Sequence, residues 1–314
     1  MSLTTRQESW RRLRSLRSQP PAGLDPSRRA LFSASLEQAE QQFSAAAAVG
    51  VQSRPLNLFY GLSQAGRAVA AGITPPSRQS TLSGHGLRCP GLADAASKGN
   101  SAFTDIEIRS QGQVTTSFRM LSDLLNSAPL NTAVRLGEIW AMLPEATLHE
   151  PLDLKFRPVL RASAWRDGDG TVKVNVEGVK PDFDGADLTE LIATYPALQG
   201  MRFVRVSGTS VSATGKGTCS IELVDQQGSP DTVGCDYRGH RILLPTVGTP
   251  PQEMHPLMIW WAILYTLSML ARYHPEAWTA VTDVDTSSHA VPIEYLLDAA
   301  QSAVPDLLWR TIAA

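Results

Sequence analysis

The chain is 314 residues long, 43% hydrophobic and 18% charged, a composition that excludes wholesale disorder and leaves ample material for a packed core. Its formal charge of −2 and pI near 6.3 exclude a surface that is throughout a sink for nucleic acid or anionic membrane, while a local basic patch stays open. Three scattered cysteines, Cys89, Cys219 and Cys235, form no CxxC pair. They argue against a disulfide framework and a zinc site, and a reducing cytoplasm fits best. No recognisable metal or cofactor motif accompanies them, and neither a metal nor a cofactor is expected.

In chain order, Trp10, Leu13 and Leu16 sit at helical spacing in a basic N-terminal segment that ends at Pro20-Pro21. Those arginines precede no apolar stretch of signal-peptide type, so secretion is not expected. Asp25-Pro26 opens a second helix as N-cap and first-turn proline, and a third is expected from about Pro55 to Ala71. Residues 72 to 100 are rich in Gly, Ser and Pro and read as a long loop, a length more often functional than incidental. A short hairpin is expected at 103–118 around Gln111-Gly112. Helices near 119–127 and 131–143 follow, with Asn131 capping the second.

The middle of the chain reads as β-rich. Thr171 to Glu177 alternates cleanly after the turn Asp167-Gly168-Asp169-Gly170, so it should pair with a strand near 157–165. A helix at 187–195 interrupts before strands near 202–211, 218–225 and 239–244. From Pro250 onward the pattern is helical, with Pro256, Pro275 and Pro292 each placed to start a helix. Met254 to Ala271 lacks Asp, Glu, Lys and Arg and is about long enough to span a bilayer. His255, Pro256, Thr266 and Ser268 within it favour a buried central helix. The fold class expected is α+β: a mainly helical part at 1–150, a β-rich central insert at 151–250, and C-terminal helices at 251–314 that pack on the first part.

Three segments could carry chemistry. In the helix beginning at Pro55, Leu58, Leu62, Ala65 and Val69 form an apolar stripe, while Asn57, Tyr60, Gln64 and Arg67 share another face. An amide, a phenol, a second amide and a guanidinium in line suit a polar or anionic ligand, and equally a solvated helix face. His85 lies between Gly84 and Gly86, which permit positive φ and close approach. It reads either as an acid/base or ligand contact, or as a solvent-exposed turn histidine. Arg78 and His85 also satisfy the loose R-x₄₋₆-H spacing of HEPN-type ribonucleases, a short pattern common by chance. Arg272 ends the apolar helix just before Pro275. It either caps free carbonyls at the helix C-terminus, or turns toward the polar face of the Pro55 helix to form an anion site.

Other motifs fail. Thr214-Gly215-Lys216-Gly217-Thr218 resembles a phosphate loop but has Ser210 and Gly217 where a glycine and a hydroxyl are required. Asp283-Val284-Asp285 lacks a third cation ligand.

Arg54-Pro55-Leu56 through Tyr60-Gly61, then His85-Gly86-Leu87, then Leu267 to Tyr273 with Pro275 and Trp278, and finally Pro305-Asp306-Leu307-Leu308 resemble the signature of the YaaC-like family of bacterial proteins. The resemblance covers the N-terminal third and the last sixty residues; nothing specific is recognised between about 100 and 250. Where the family pattern leads one to expect a lysine, this chain has Arg67. The resemblance implies a fold and shared residues rather than a reaction. It also implies that the two chain ends pack together and bring Arg54, Tyr60, His85 and Arg272 toward one site.

Two functions follow as expectations. One is a binding or interaction protein that holds an anionic small molecule or nucleotide through Arg54, Asn57, Tyr60, Gln64, Arg67, His85 and Arg272, or a protein partner through the β insert. The other is a nucleotide- or RNA-acting enzyme with His85 as acid/base and arginines on phosphate, the basic N-terminal helix adding backbone contacts. A bacterial defence role would suit either.

Overall fold

The computed structural model describes residues 5–97, 99–147, 156–211, 217–225 and 228–313. Three helices open the chain: α1 (Thr5–Ser18), α2 (Pro26–Ala48) and α3 (Arg54–Ile73). Asp25 starts α2 as the sequence indicates, its Oδ1 accepting from the Arg28 amide at 2.9 Å. Phe43 meets Gly61 and Phe32 meets Gly72, so α2 and α3 run antiparallel as a helical hairpin. The Arg28 guanidinium donates to the carbonyls of Ala71 and Thr74, satisfying free acceptors at the C-terminus of α3. The arginines of α1 are largely spoken for. Arg14 pairs with Glu40 and Arg17 with Glu37 on α2, while Arg12 pairs with Glu8 and lies over Trp309. Among the described residues, Arg6 and Arg11 of the same helix lie within 4.0 Å of no carboxylate.

The segment after α3 holds β1 (Leu87–Arg88), α4 (Leu92–Ser97), β2 (Glu107–Ser110), α5 (Ser117–Leu124), β3 (Val134–Arg135) and α6 (Leu136–Trp140). Here local reading of the sequence needs correction. Residues 103–118 do not fold as a hairpin: β2 pairs on one side with β1 and on the other with β3, both non-local partners. The helix expected at 131–143 is the short α6. Arg135 sits at its N-cap, and Asn131 instead accepts from Arg119 at 3.2 Å.

The insert is a six-stranded antiparallel sheet of order β6-β7-β5-β4-β9-β8, built from β4 (Leu160–Arg166), β5 (Val172–Val179), β6 (Arg202–Val211), β7 (Gly217–Asp225), β8 (Cys235–Tyr237) and β9 (His240–Leu243), with α7 (Leu188–Thr194) between β5 and β6. The β4–β5 hairpin forms at the predicted turn, with Arg166 opposite Val172. Val172, Val174 and Val176 point into a core shared with Phe183, Leu198, Ile221 and Leu223, separate from that of the helical body. Lys173, Asn175 and Glu177 point away from it, the alternation of a sheet covered on one face. Strand β8 is only three residues, too short to show alternation. The phosphate-loop-like stretch falls mostly on residues 212–216, outside those described.

The insert docks through its β8–β9 hairpin. Arg238 and Gly239 form a two-residue loop at φ +54 and +83, the backbone that a tight hairpin requires and that arginine adopts reluctantly. The Arg238 guanidinium donates to Glu145 Oε1 (3.3 Å) and Ser302 Oγ (3.1 Å). The Tyr237 hydroxyl donates to Glu145 Oε2 (2.9 Å) and accepts from Trp260 Nε1 (3.0 Å). Glu145 is thus a buried carboxylate with its acceptors in use, and it clamps the hairpin to the helices.

A short ribbon of β10 (Thr246–Val247) and β11 (Gln252–Glu253) leads to α8 (Pro256–Tyr273), α9 (Pro275–Val281) and α10 (Ala290–Ala313). The sequence pattern reads as helical from Pro250, so β11 is a correction; at two residues per strand the ribbon leaves no periodicity to read. Pro256 and Pro275 open their helices, whereas α10 starts two residues ahead of Pro292. Helix α8 is the apolar segment of the sequence, buried on almost every side from Pro256 to Ser268. No helix among the described residues is long and apolar enough to cross a membrane. Helices from both chain ends therefore surround α8, with the β-rich insert between them in sequence: an α+β fold.

Candidate functional site

The polar face of α3 and the C-terminal end of α8 meet. Nearer the start of α8, Gly66 leaves room for Trp261; a Cβ there would lie 2.5 Å from Trp261 Cζ3 and 2.8 Å from Leu121 Cδ1. At the other end of α8 Arg272 also lies beside α3, where its Nη1 donates to the Tyr60 hydroxyl at 3.0 Å. Arg272 crosses to the Pro55 helix rather than capping the carbonyls of its own helix. The guanidinium stays exposed, its carbon 5.0 Å from the centre of the neighbouring Tyr273 ring. Arg67 lies on the same face of α3 as Tyr60, two turns further along, and is also exposed. Among the described residues no carboxylate lies within 4.0 Å of Arg67 or Arg272.

His85 joins them from the loop. Its carbonyl accepts from the Phe118 amide (3.1 Å), Gly86 O from the Gln111 amide (2.9 Å) and Gly84 O from Ser117 Oγ (2.6 Å), so the segment is pinned to the start of α5. Gly86 has φ +80, and a Cβ there would sit 2.9 Å from the Phe118 nitrogen; only glycine fits. The imidazole rests against Phe59 (5.3 Å between ring centres) and Tyr265 (6.1 Å), whose hydroxyl donates to Leu87 O at 2.8 Å. The other side of the ring meets solvent. Partial burial first, and then the charges of Arg272 and Arg67, lower the His85 pKa. The imidazole is therefore neutral at pH 7, able both to donate and to accept.

Tyr60, Arg67, His85 and Arg272 thus form one cluster. Other residues expected beside them are engaged differently. Arg54 donates to Val49 O (3.3 and 3.2 Å) and pairs with Asp298 of α10 at 2.5 Å, holding the α2–α3 turn to α10. Asn57 Nδ2 comes only to 3.5 Å of Ser53 O, one turn back, and Gln64 is half-buried along the same helix face. Arg78, the partner in the ribonuclease-like spacing, is paired with Asp123 of α5. Asp283 is closed into a local turn, accepting from the Asp285 amide and Thr286 Oγ1, and no group of three His, Cys, Asp or Glu side chains able to hold a metal occurs among the described residues. Sequence reasoning passes over Phe59 and Tyr265, and names Tyr273 beside Arg272 without giving it a role. Tyr273 has a legible signal: an aromatic immediately after an arginine at the end of an otherwise buried helix.

No curated protein and no solved structure matches this chain. A family model described as YaaC-like Protein matches residues 5–312. The match runs through 100–250, where residue-by-residue resemblance finds nothing specific, so that region falls within the family's pattern. It covers nearly the whole length, and the chain therefore belongs to the YaaC-like family.

Proposed function

We propose that the protein binds a small anionic ligand at the Tyr60/Arg67/His85/Arg272 cluster. The observation that carries this reading is the convergence of two exposed guanidiniums, neither facing a carboxylate within 4.0 Å among the described residues, with a phenol and a neutral imidazole. They come from both ends of the chain: α3, the loop before β1, and the end of α8. A guanidinium offers a planar fork of donors suited to phosphate or carboxylate. The Tyr60–Arg272 hydrogen bond orients one fork without neutralising it. Isothermal titration with inorganic pyrophosphate tests the reading. Wild type should bind, and Arg272→Ala and Arg67→Ala should each weaken binding at least tenfold with an unchanged urea midpoint. No heat of binding at millimolar pyrophosphate would overturn it.

A second reading, an enzyme acting on nucleotides or RNA with His85 as acid/base, is supported by one feature. A histidine kept neutral beside two cations is in the state that a general base needs. On that reading His85→Ala abolishes turnover while stability is nearly unchanged. Activity unaffected by the substitution would dispose of it.

A further inference from the structure

The surface around Arg272 is aromatic as well as cationic. Among the described residues three aromatic side chains are exposed, Tyr60 (39%), Trp165 (42%) and Tyr273 (55%). Two of the three flank Arg272: it donates to the hydroxyl of Tyr60 and lies over the ring of Tyr273. An inorganic anion would use the guanidiniums alone and gain nothing from open phenol rings. Duplex nucleic acid needs a long basic stripe, and in the arginine-rich α1 three of the five arginines are paired with Glu8, Glu37 and Glu40. Exposed rings interleaved with unpaired guanidiniums match a ligand that has both a flat π-face and a phosphate.

We infer that the ligand of this site is a nucleotide unit, its base lying on the Tyr60–Tyr273 surface and its phosphate on Arg67 and Arg272. The inference rests on the anion-binding reading above and narrows it to a substrate class. Stacking of one base on an aromatic side chain is worth about 1–3 kcal/mol, which corresponds to roughly 5- to 150-fold in affinity. His85, packed on Phe59 and open on its other side, borders the same surface and offers one donor and one acceptor to a base or ribose edge. Nothing in the arrangement reads sequence; it reads the presence of a base.

The test compares 5′-AMP, ribose 5-phosphate and inorganic phosphate by titration calorimetry on the full chain. AMP should bind at least about fivefold more tightly than ribose 5-phosphate. Tyr273→Leu should remove that difference while leaving ribose 5-phosphate affinity unchanged, and Arg272→Ala should weaken all three. Trp165→Leu, an exposed aromatic on the insert, should change nothing. Equal affinity for AMP and ribose 5-phosphate overturns the nucleotide inference and leaves the anion site standing; failure of all three to bind at millimolar concentration removes both. A four-residue single-stranded oligoadenylate separates the sources. Tighter binding than AMP assigns the unit to a strand, and binding no tighter than AMP assigns it to a free nucleotide.

Discussion

Gly66→Ala sets two effects of opposite sign against each other where α3 packs on α8. Gly66 lies inside α3, where alanine favours the helix by about 1 kcal/mol. The added methyl would fall 2.5 Å from Trp261 Cζ3 and 2.8 Å from Leu121 Cδ1, far inside van der Waals contact. Both neighbours are fully buried, at 0% exposure, so neither can swing into solvent. Overpacking of this kind costs about 1–3 kcal/mol, and two immobile neighbours place it at the upper end. Subtracting the helix-propensity gain leaves a net loss of about 2 kcal/mol, or roughly 30-fold in the folding equilibrium. Urea denaturation read by tryptophan fluorescence measures it. Gly50→Ala is the control: nothing lies within 4 Å of its Cβ and its φ is not positive, so it should be neutral or slightly stabilising. Because Gly66 precedes Arg67 and lies where α8 approaches α3, Gly66→Ala should also weaken pyrophosphate binding by separating Arg272 from Tyr60. A second change, Trp261→Phe, should recover part of both losses. If Gly66→Ala is as stable as wild type or more so, helix propensity outweighs packing here and the reasoning is refuted.

Two further outcomes follow from the structure. Burial lowers the pKa of His255 from 6.5 to about 4, and its Nδ1 accepts from the Leu257 amide at the start of α8. The unfolded chain binds this proton more readily, so the stabilisation is complete above pH 6.5 and is lost as pH falls toward 4. The full effect is about 3 kcal/mol, since protonation would place a cation in a buried site. His255→Asn keeps a cap without titrating and should flatten the urea midpoint between pH 6.5 and 4; a slope like that of wild type would show that other groups carry it. Glu145→Ala strands Tyr237 and the half-buried Arg238 together, and should cost about 2–3 kcal/mol after allowing for the partial exposure of Arg238. A loss below about 1 kcal/mol would mean that the apolar contacts of the hairpin, not this carboxylate, hold the insert in place.

Elements whose cause is local are legible in the sequence. Asp25-Pro26 announces α2 because a carboxylate and a fixed φ act within three residues. The β4–β5 hairpin is visible because Asp167 to Gly170 supplies the turn and the valines of β5 alternate. Residues 103–118 and 131–143 mislead for the opposite reason. Strands β1, β2 and β3 have two to four residues each and exist only because distant segments satisfy their hydrogen bonds; no periodicity can show in two residues. Within the candidate site, the polar face of α3 and the glycines around His85 can be read from spacing. That Arg54 is taken up by Val49 and Asp298 cannot, because its carboxylate partner lies more than two hundred residues away.

Which residue types are available to the site, and which segments are helical, can be read from the chain alone, since composition, caps and periodicity are properties of neighbouring residues. The central place of α8 is equally legible, because a helix apolar all round must be enclosed. It takes the folded chain to show that Arg272 reaches Tyr60 rather than the carbonyls of its own helix, and that Arg67 and His85 share its field. The Gly66–Trp261 contact is one of those that bring α8 against α3. How closely two helices cross is set by the volume of side chains far apart in the chain, and that distance decides which charged groups meet.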